Sequence, residues 1–259
     1  MMLKDKVGLV VGVANDHSIA AGCATAFARE GARLALTYMN DRALPHVEPV
    51  AKAVGAEALI PLDLTQPAQL DAVFDQITAL WGRLDFLLHS VAFCPRDDLH
   101  GRVVDCSAAG FGQAMDISCH SFLRLVRKAE PLMQGGGSLL TVSYYGAEKV
   151  VDHYNIMGPV KAALEAVTCN VAAELGPQAI RANVLSPGPI ATRAASGIED
   201  FDELMEDARS RAPETASGDD RRGRLGRGLS RLGGCIGRDR HHHPYRWRTP
   251  CPDVTPCPR

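Results

Sequence analysis

A chain of 259 residues with a formal charge of -2, 46% hydrophobic and 22% charged residues has the size and apolar content of one large α/β domain. Its basic residues are scattered through the first four-fifths of the sequence, which excludes an electrostatic footprint for nucleic acid or a membrane surface and favours a small-molecule partner. Cys23, Cys94, Cys106, Cys119 and Cys169 are dispersed without ligand spacing, so reduced thiols in a cytoplasmic protein are expected and a metal site is not.

The opening apolar run is too short to span a bilayer, leads straight into glycine and reads as a strand, not a signal peptide. Val7 to Val13 has the near-continuous apolar character of a strand buried on both faces, and Ser18 to Glu30 switches to helical periodicity. The alternation continues: strand Arg33 to Tyr38, helix Pro45 to Val54, strand Glu57 to Leu62, then a helix from Gln66 to Trp81 opened by Thr65. Strand Leu84 to Ser90, a helix from about Phe111 to Met133, strand Ser138 to Ser143, a helix from about Tyr154 to Leu175 and strand Ile180 to Ser186 complete it. Strands alternating with helices predict α/β architecture: a single Rossmann-like, doubly wound parallel sheet joined by right-handed crossovers. Ligands of such sheets bind beyond the carboxyl ends of the strands, here at Gly12, Asp63, Ser90, Ser143 and Pro187 to Thr192.

The first strand-to-helix loop, Gly12 to Ala20, offers a small residue for close approach of a pyrophosphate, and Ser18 and Ile19 at a helix amino terminus offer donors to it. The loop departs from G-x-G-x-x-G, and an ordinary glycine turn with a serine cap is the alternative. After the second strand, Met39 to Arg42 contains neither a clear ribose acceptor nor a clear phosphate clamp, which leans towards NADH over NADPH. Asp63 is placed either to accept from an adenine amino group or to cap the next helix.

Tyr154 and Lys161 have six residues between them at the head of an apolar helical run. On a helix both would face one side, the tyrosine able to donate to an oxyanion and the lysine able to grip a cofactor sugar. Tyr145 and Lys149 have three residues between them but lie before the helix, and are read as packing and solvated respectively.

Taken together, Gly12 to Ala20, His89 to Phe93, Asp97 to Arg102, Ser143 to Glu148, Tyr154 to Gly158 with Lys161, and Ser186 to Ile190 with Thr192 resemble a known family. It is the bacterial NADH-dependent enoyl-acyl-carrier-protein reductases, in the divergent branch of the short-chain dehydrogenase/reductase superfamily. The resemblance covers roughly residues 3 to 213. It implies that hydride from NADH reaches the β-carbon of a trans-2-enoyl thioester held on acyl carrier protein, in fatty acid synthesis, while charge develops on the thioester oxygen. By resemblance, Tyr154 stabilises that charge, Lys161 holds the nicotinamide ribose, and Tyr144 assists or shapes the acyl pocket. The cofactor residues implied are Gly12, Ser18, Ile19, Met39, Asp63, Leu64, Ser90, Val91, Ala92, Lys161, Ile190 and Thr192. Cys94, Tyr144 and Ile198 would meet substrate. Residues 194 to 208 would form a substrate-covering helix, with a plain amphipathic surface helix as the alternative. The family implies a homotetramer.

From Glu214 to Arg259 the composition changes to Arg, Gly, Pro and His without Lys, the signature of a disordered tail, where the family has a further helix and a last parallel strand. Reading residues 238 to 247 from the second base of each codon permits Thr-Gly-Thr-Ile-Ile-Pro-Ile-Asp/Gly-Gly, which resembles that missing strand and points to a frameshift. Three rival readings stay open at this level: a 3-oxoacyl reductase of the same superfamily, an inactive dinucleotide-binding relic, and a nucleic-acid-binding tail.

Overall fold

The computed structural model describes residues 1–187 and the two-residue strand Trp247–Arg248. Six parallel strands form the sheet: β1 (Val7–Val11), β2 (Arg33–Tyr38), β3 (Ala58–Pro61), β4 (Phe86–His89), β5 (Gly137–Val142) and β6 (Ile180–Leu185). Their spatial order is β3-β2-β1-β4-β5-β6, and β7 (Trp247–Arg248) adds antiparallel to β6. The order reverses between β1 and β4, which puts the switch point of a doubly wound sheet beside the Gly12 loop. The expected missing parallel strand, the tail's character, the helix at 194 to 208 and Ile190, Thr192 and Ile198 lie outside the described residues.

Helices α1 (Ile19–Arg29), α2 (Leu44–Ala53) and α3 (Pro67–Trp81) follow the first three strands. A single turn α4 (Arg96–Leu99), then α5 (Ala108–Met115), α6 (Ser121–Ala129) and α7 (Met157–Leu175), complete the helical layers. Every residue of β1 is buried, because alternate side chains enter two separate cores. Leu9 and Val11 join Val73, Ile77, Phe122, Val160 and Leu164 on the α3–α6–α7 face. Val10 joins Phe27, Leu34, Val47, Phe86 and Leu140 on the α1–α2 face, where Phe27 and Phe86 meet edge to face.

Three details differ from expectation. The helix expected from Phe111 to Met133 is interrupted: a π-helical turn, Asp116–His120, separates α5 from α6, and α6 gives way to a 3-10 turn at Glu130–Leu132. Serine hydroxyls and proline explain it. Ser121 Oγ donates to the Ile117 carbonyl (2.6 Å), Ser118 Oγ is taken by the Phe93 peptide, and Pro131 has no amide hydrogen for an α-helical bond. Thr65 does not open α3, whose cap is Gln66; Thr65 Oγ1 instead donates to Asp63 Oδ1 (2.7 Å). Tyr154 precedes α7 rather than riding on it, because His153 and Asn155 on either side take left-handed backbone conformations that stop a helix.

Candidate active site

The described candidates gather along the carboxyl edge of the sheet. Gly12 follows β1 with φ +100°, and a Cβ there would lie 2.1 Å from the Ser90 carbonyl oxygen after β4. Glycine is therefore required by both backbone angle and space. Ser18 caps α1: its Oγ accepts from the Ala21 amide (3.3 Å) and donates to the Asn15 carbonyl (2.7 Å). The cap and the phosphate-loop readings of Ser18 are compatible, since Ile19 opens α1 directly after the loop and leaves a helix amino terminus there.

Beyond β2 and β3 lie Met39, which is exposed, and Asp63, which is partly buried. The Asp63 carboxylate accepts from the Thr65 amide and hydroxyl, and its own amide donates to Gln69 Oε1 (2.7 Å). Leu64 is buried, and its carbonyl accepts from Arg124 Nη1 (2.9 Å), which ties this loop to α6. Arg124 carried no signal in the sequence, because an arginine on an amphipathic helix normally reads as solvated.

After β4, Ser90 donates its amide to Val11, Val91 is partly buried, and Ala92 is exposed. Phe93 is clasped through both its amide and its carbonyl by Ser118 Oγ, at 2.8 and 2.9 Å. Cys94 is half-buried, and its thiol is pushed up to about 11 by burial first and then by Asp98 and Cys106, so it is a thiol and not a thiolate at neutral pH. His89 beneath them is fully buried. Because Ser121 Oγ gives its hydrogen to Ile117, it accepts from His89 Nε2 (2.8 Å), which leaves His89 Nδ1 to accept from Thr141 Oγ1 (2.8 Å). Desolvation chiefly, and the Lys161 charge, lower this imidazole to about 3, so it stays neutral.

Around the end of β5 the catalytic candidates meet. Tyr154 is buried, and its ring packs edge to face on Tyr144, centroids 4.9 Å apart. Its ring also lies against Gly146, where a Cβ would stand 2.5 Å from the Tyr154 ring and 3.3 Å from the Tyr144 ring. Burial first, then Tyr144, raises its pKa far above the ordinary phenol range, so Tyr154 is a neutral donor throughout the working pH range. Lys161 is 4% exposed and donates to the Val142 carbonyl (2.8 Å) and, more loosely, to Val91 (3.4 Å). Burial lowers it to about 8, opposed by Cys119 and Glu165. The expectation that tyrosine and lysine share a helical face is corrected: Lys161 is on α7 and Tyr154 on the preceding turn, and they converge because one reaches Val142 and the other packs on Tyr144, two residues on.

Ser143 and Glu165 complete the cluster, with Ser143 Oγ donating to Glu165 Oε1 at 2.6 Å. Glu165 is not among the candidates the sequence offers, although its position four residues beyond Lys161 on a helix is a signal for it. Tyr145 is 51% exposed and does not pack as expected; Lys149 is exposed, in line with its reading as solvated. Among the described residues, no group of three or more His, Cys, Asp or Glu side chains could hold a metal ion.

A family model described as Enoyl-(Acyl carrier protein) reductase matches residues 12–221. The chain belongs to this family. The enoyl-acyl-carrier-protein reductase 1 [NADH] of Rhizobium meliloti (strain 1021) is 48% identical over 200 residues, covering 77% of this chain and 74% of the relative. FabI of Rickettsia conorii, also named an NADH enoyl reductase, is 43% identical over 212 residues, 82% of each chain. Among solved structures, the enoyl reductase of Anaplasma phagocytophilum in complex with NAD superposes with a TM-score of 0.81 at 43% identity, covering 91% of this chain and 87% of that one. FabI from Candidatus Liberibacter asiaticus gives 0.83 at 36% identity and 89% of each chain. The single Rossmann-like sheet is thus the fold of the enoyl reductase family.

Proposed function

We infer that this protein reduces the carbon–carbon double bond of a trans-2-enoyl chain on acyl carrier protein, using NADH, as a step of fatty acid synthesis. The observation that carries the reading is the buried, neutral Tyr154 beside Tyr144 at the same strand end as Lys161, in a chain 48% identical to an NADH enoyl reductase.

The residues present fit a dinucleotide. The Gly12 position would be filled by any Cβ, and the amino end of α1 follows it directly. Gly12, Ser18 and Ile19 would hold the pyrophosphate, Met39, Asp63 and Leu64 the adenosine, and Ser90, Val91 and Ala92 the nicotinamide end, with Ile190 and Thr192 added by resemblance. NADH, when bound, supplies hydride to the substrate's β-carbon. Tyr154 donates a hydrogen bond to the thioester oxygen as charge grows on it, an interaction stronger in the transition state than before it. Lys161 holds the nicotinamide ribose, and its positive charge lies near the same centre. Tyr144, Cys94 and Ile198 shape the acyl pocket.

The same reading makes the protein a cytoplasmic homotetramer, resting on the family resemblance. Among the described residues, no helix is long and apolar enough to cross a membrane. Residues 1–213 are the reductase domain. Residues 214–259 are a segment translated in a shifted frame, supported by relatives that align over only 200 to 212 residues of the chain; the gene's nucleotide sequence decides this, and a frame without the expected strand would refute it.

The test of function is loss of reduced-nicotinamide absorbance with purified chain, a short trans-2-enoyl thioester and, in parallel, a 3-oxoacyl thioester. Turnover of the enoyl substrate alone is expected. Turnover of the 3-oxoacyl substrate alone would make the protein a carbonyl reductase, and cofactor binding without turnover a relic.

A further inference from the structure

Tyr154 sits on a turn flanked by two non-glycine residues in left-handed backbone conformations, His153 with φ 60° and Asn155 with φ 44°. Such conformations are costly for L residues, asparagine bearing them better than most, and they persist where the surroundings impose them. The turn is closed by backbone bonds from the Tyr154 amide to Val151, from Met157 to Tyr154 and from Gly158 to Asn155, at 3.1–3.2 Å. The Asn155 side chain adds a tie across 54 positions of sequence: its Nδ2 donates to the Gly101 carbonyl at 3.2 Å. Its Oδ1 is buried and has no hydrogen-bond partner among the described residues. Gly101 and Asn155, with Leu99, Val103 and Val151, line a pocket of about 220 Å³. Asn155 thus fastens the wall of a pocket to the turn that carries the tyrosine.

We propose that Asn155 is the positioning residue for Tyr154, fixing the direction of its phenol by a left-handed backbone and a bond to Gly101. It acts through Tyr154 and touches no reacting atom. The inference rests on the catalytic reading of Tyr154 given above.

Three variants separate its two contributions. Asn155→Gly keeps the backbone angle and deletes the bond; Asn155→Asp keeps the shape and replaces the donor with an acceptor; Asn155→Ala loses both. With the full chain and a trans-2-enoyl thioester, Asn155→Gly is expected to lower kcat about 10- to 100-fold with NADH affinity by fluorescence titration and apo Tm unchanged, whereas Asn155→Asp, whose carboxylate would face the Gly101 carbonyl oxygen, is expected to lower both kcat and apo Tm. Adding Asn155→Gly to Tyr154→Phe is expected to cost nothing further, because the asparagine has no other route to the reaction. A readout independent of turnover is the tyrosine absorbance titration, with Tyr154→Phe identifying the Tyr154 component and Tyr144 the titratable neighbour facing it. In Asn155→Gly that component should move down towards the ordinary phenol range. An unchanged kcat and titration in Asn155→Gly would overturn the proposal, as would a loss fully additive with Tyr154→Phe. An inactive parent chain would refute the functional reading instead, and the titration would still decide whether Asn155 places the tyrosine.

Discussion

Tyr144 and Tyr154 meet edge to face with ring centroids 4.9 Å apart, and of the two only Tyr154 is buried. Such a contact is worth about 0.5–1.5 kcal/mol beyond area burial, enough to hold one ring by the other. Tyr154→Phe preserves this packing and removes only the hydroxyl. It should lower kcat by about 100-fold or more, with NADH affinity and Tm unchanged. Tyr144→Phe should act mainly on KM for the acyl substrate. Steady-state kinetics on both variants checks the division, and parental kcat in Tyr154→Phe would remove the hydroxyl from the mechanism.

Lys161 has its charge in a buried place, with a folded-state pKa of about 8 against an ordinary 10.5. It is protonated below about pH 8 and neutral above, so NADH affinity should weaken as pH rises from about 7 to about 9. Lys161→Met should bind NADH weakly at every pH and lose that slope. The effect on the fold has the opposite sign. The unfolded chain holds this proton more tightly, so apo stability attributable to Lys161 should rise between about pH 8 and 10.5 as the buried charge is lost. Fluorescence titration and denaturant unfolding across that range separate the two trends.

Alternating periods in the sequence were sufficient for six parallel strands and the helices between them, and Arg33–Tyr38 falls at its expected bounds. What the pattern could not convey is where a helix is interrupted by its own side chains. Ser118 and Ser121 have unremarkable helical spacing, yet each gives its hydroxyl hydrogen to a backbone carbonyl, one of them across 25 positions, and a π-helical turn results. For the same reason the pattern alone puts Tyr154 on α7: nothing in His153 or Asn155 as residue types demands a left-handed backbone, which is set by tertiary contacts such as Asn155 to Gly101. The site residues were legible where one residue meets one chemical need, as Gly12 does. They were hidden where the need is for a partner distant in sequence, as with Arg124 and the carbonyl of Leu64.

Gly12→Ala tests the dinucleotide loop. A methyl group there would lie 2.1 Å from the Ser90 carbonyl oxygen, and φ of +100° is strained for any L side chain. The ends of β1 and β4 must then separate, at a cost of about 1–3 kcal/mol in backbone strain alone. Apo Tm should fall and NADH binding should weaken further than stability loss explains, because the loop that approaches the pyrophosphate is the part displaced. Unchanged NADH affinity in a folded Gly12→Ala would move the cofactor away from this loop.

His89 is expected to make the fold sensitive to acid. Buried and neutral between Thr141 and Ser121, it has a folded-state pKa of about 3 against 6.5 for an ordinary imidazole. A depressed folded value means the unfolded chain takes up the proton first. The stabilisation is complete above about pH 6.5 and is lost as pH falls from there towards 3, at up to about 1.4 kcal/mol per pH unit. Protonation would also make Nδ1 a donor facing a Thr141 hydroxyl that now donates to it, so that hydroxyl must rotate before the fold can keep the contact. His89→Gln retains some hydrogen-bonding capacity but cannot titrate. It should be less stable than the parent at pH 7 and show a flatter decline towards pH 4, measured as denaturant midpoints. A parental slope in that variant would assign the acid sensitivity to the carboxylates instead.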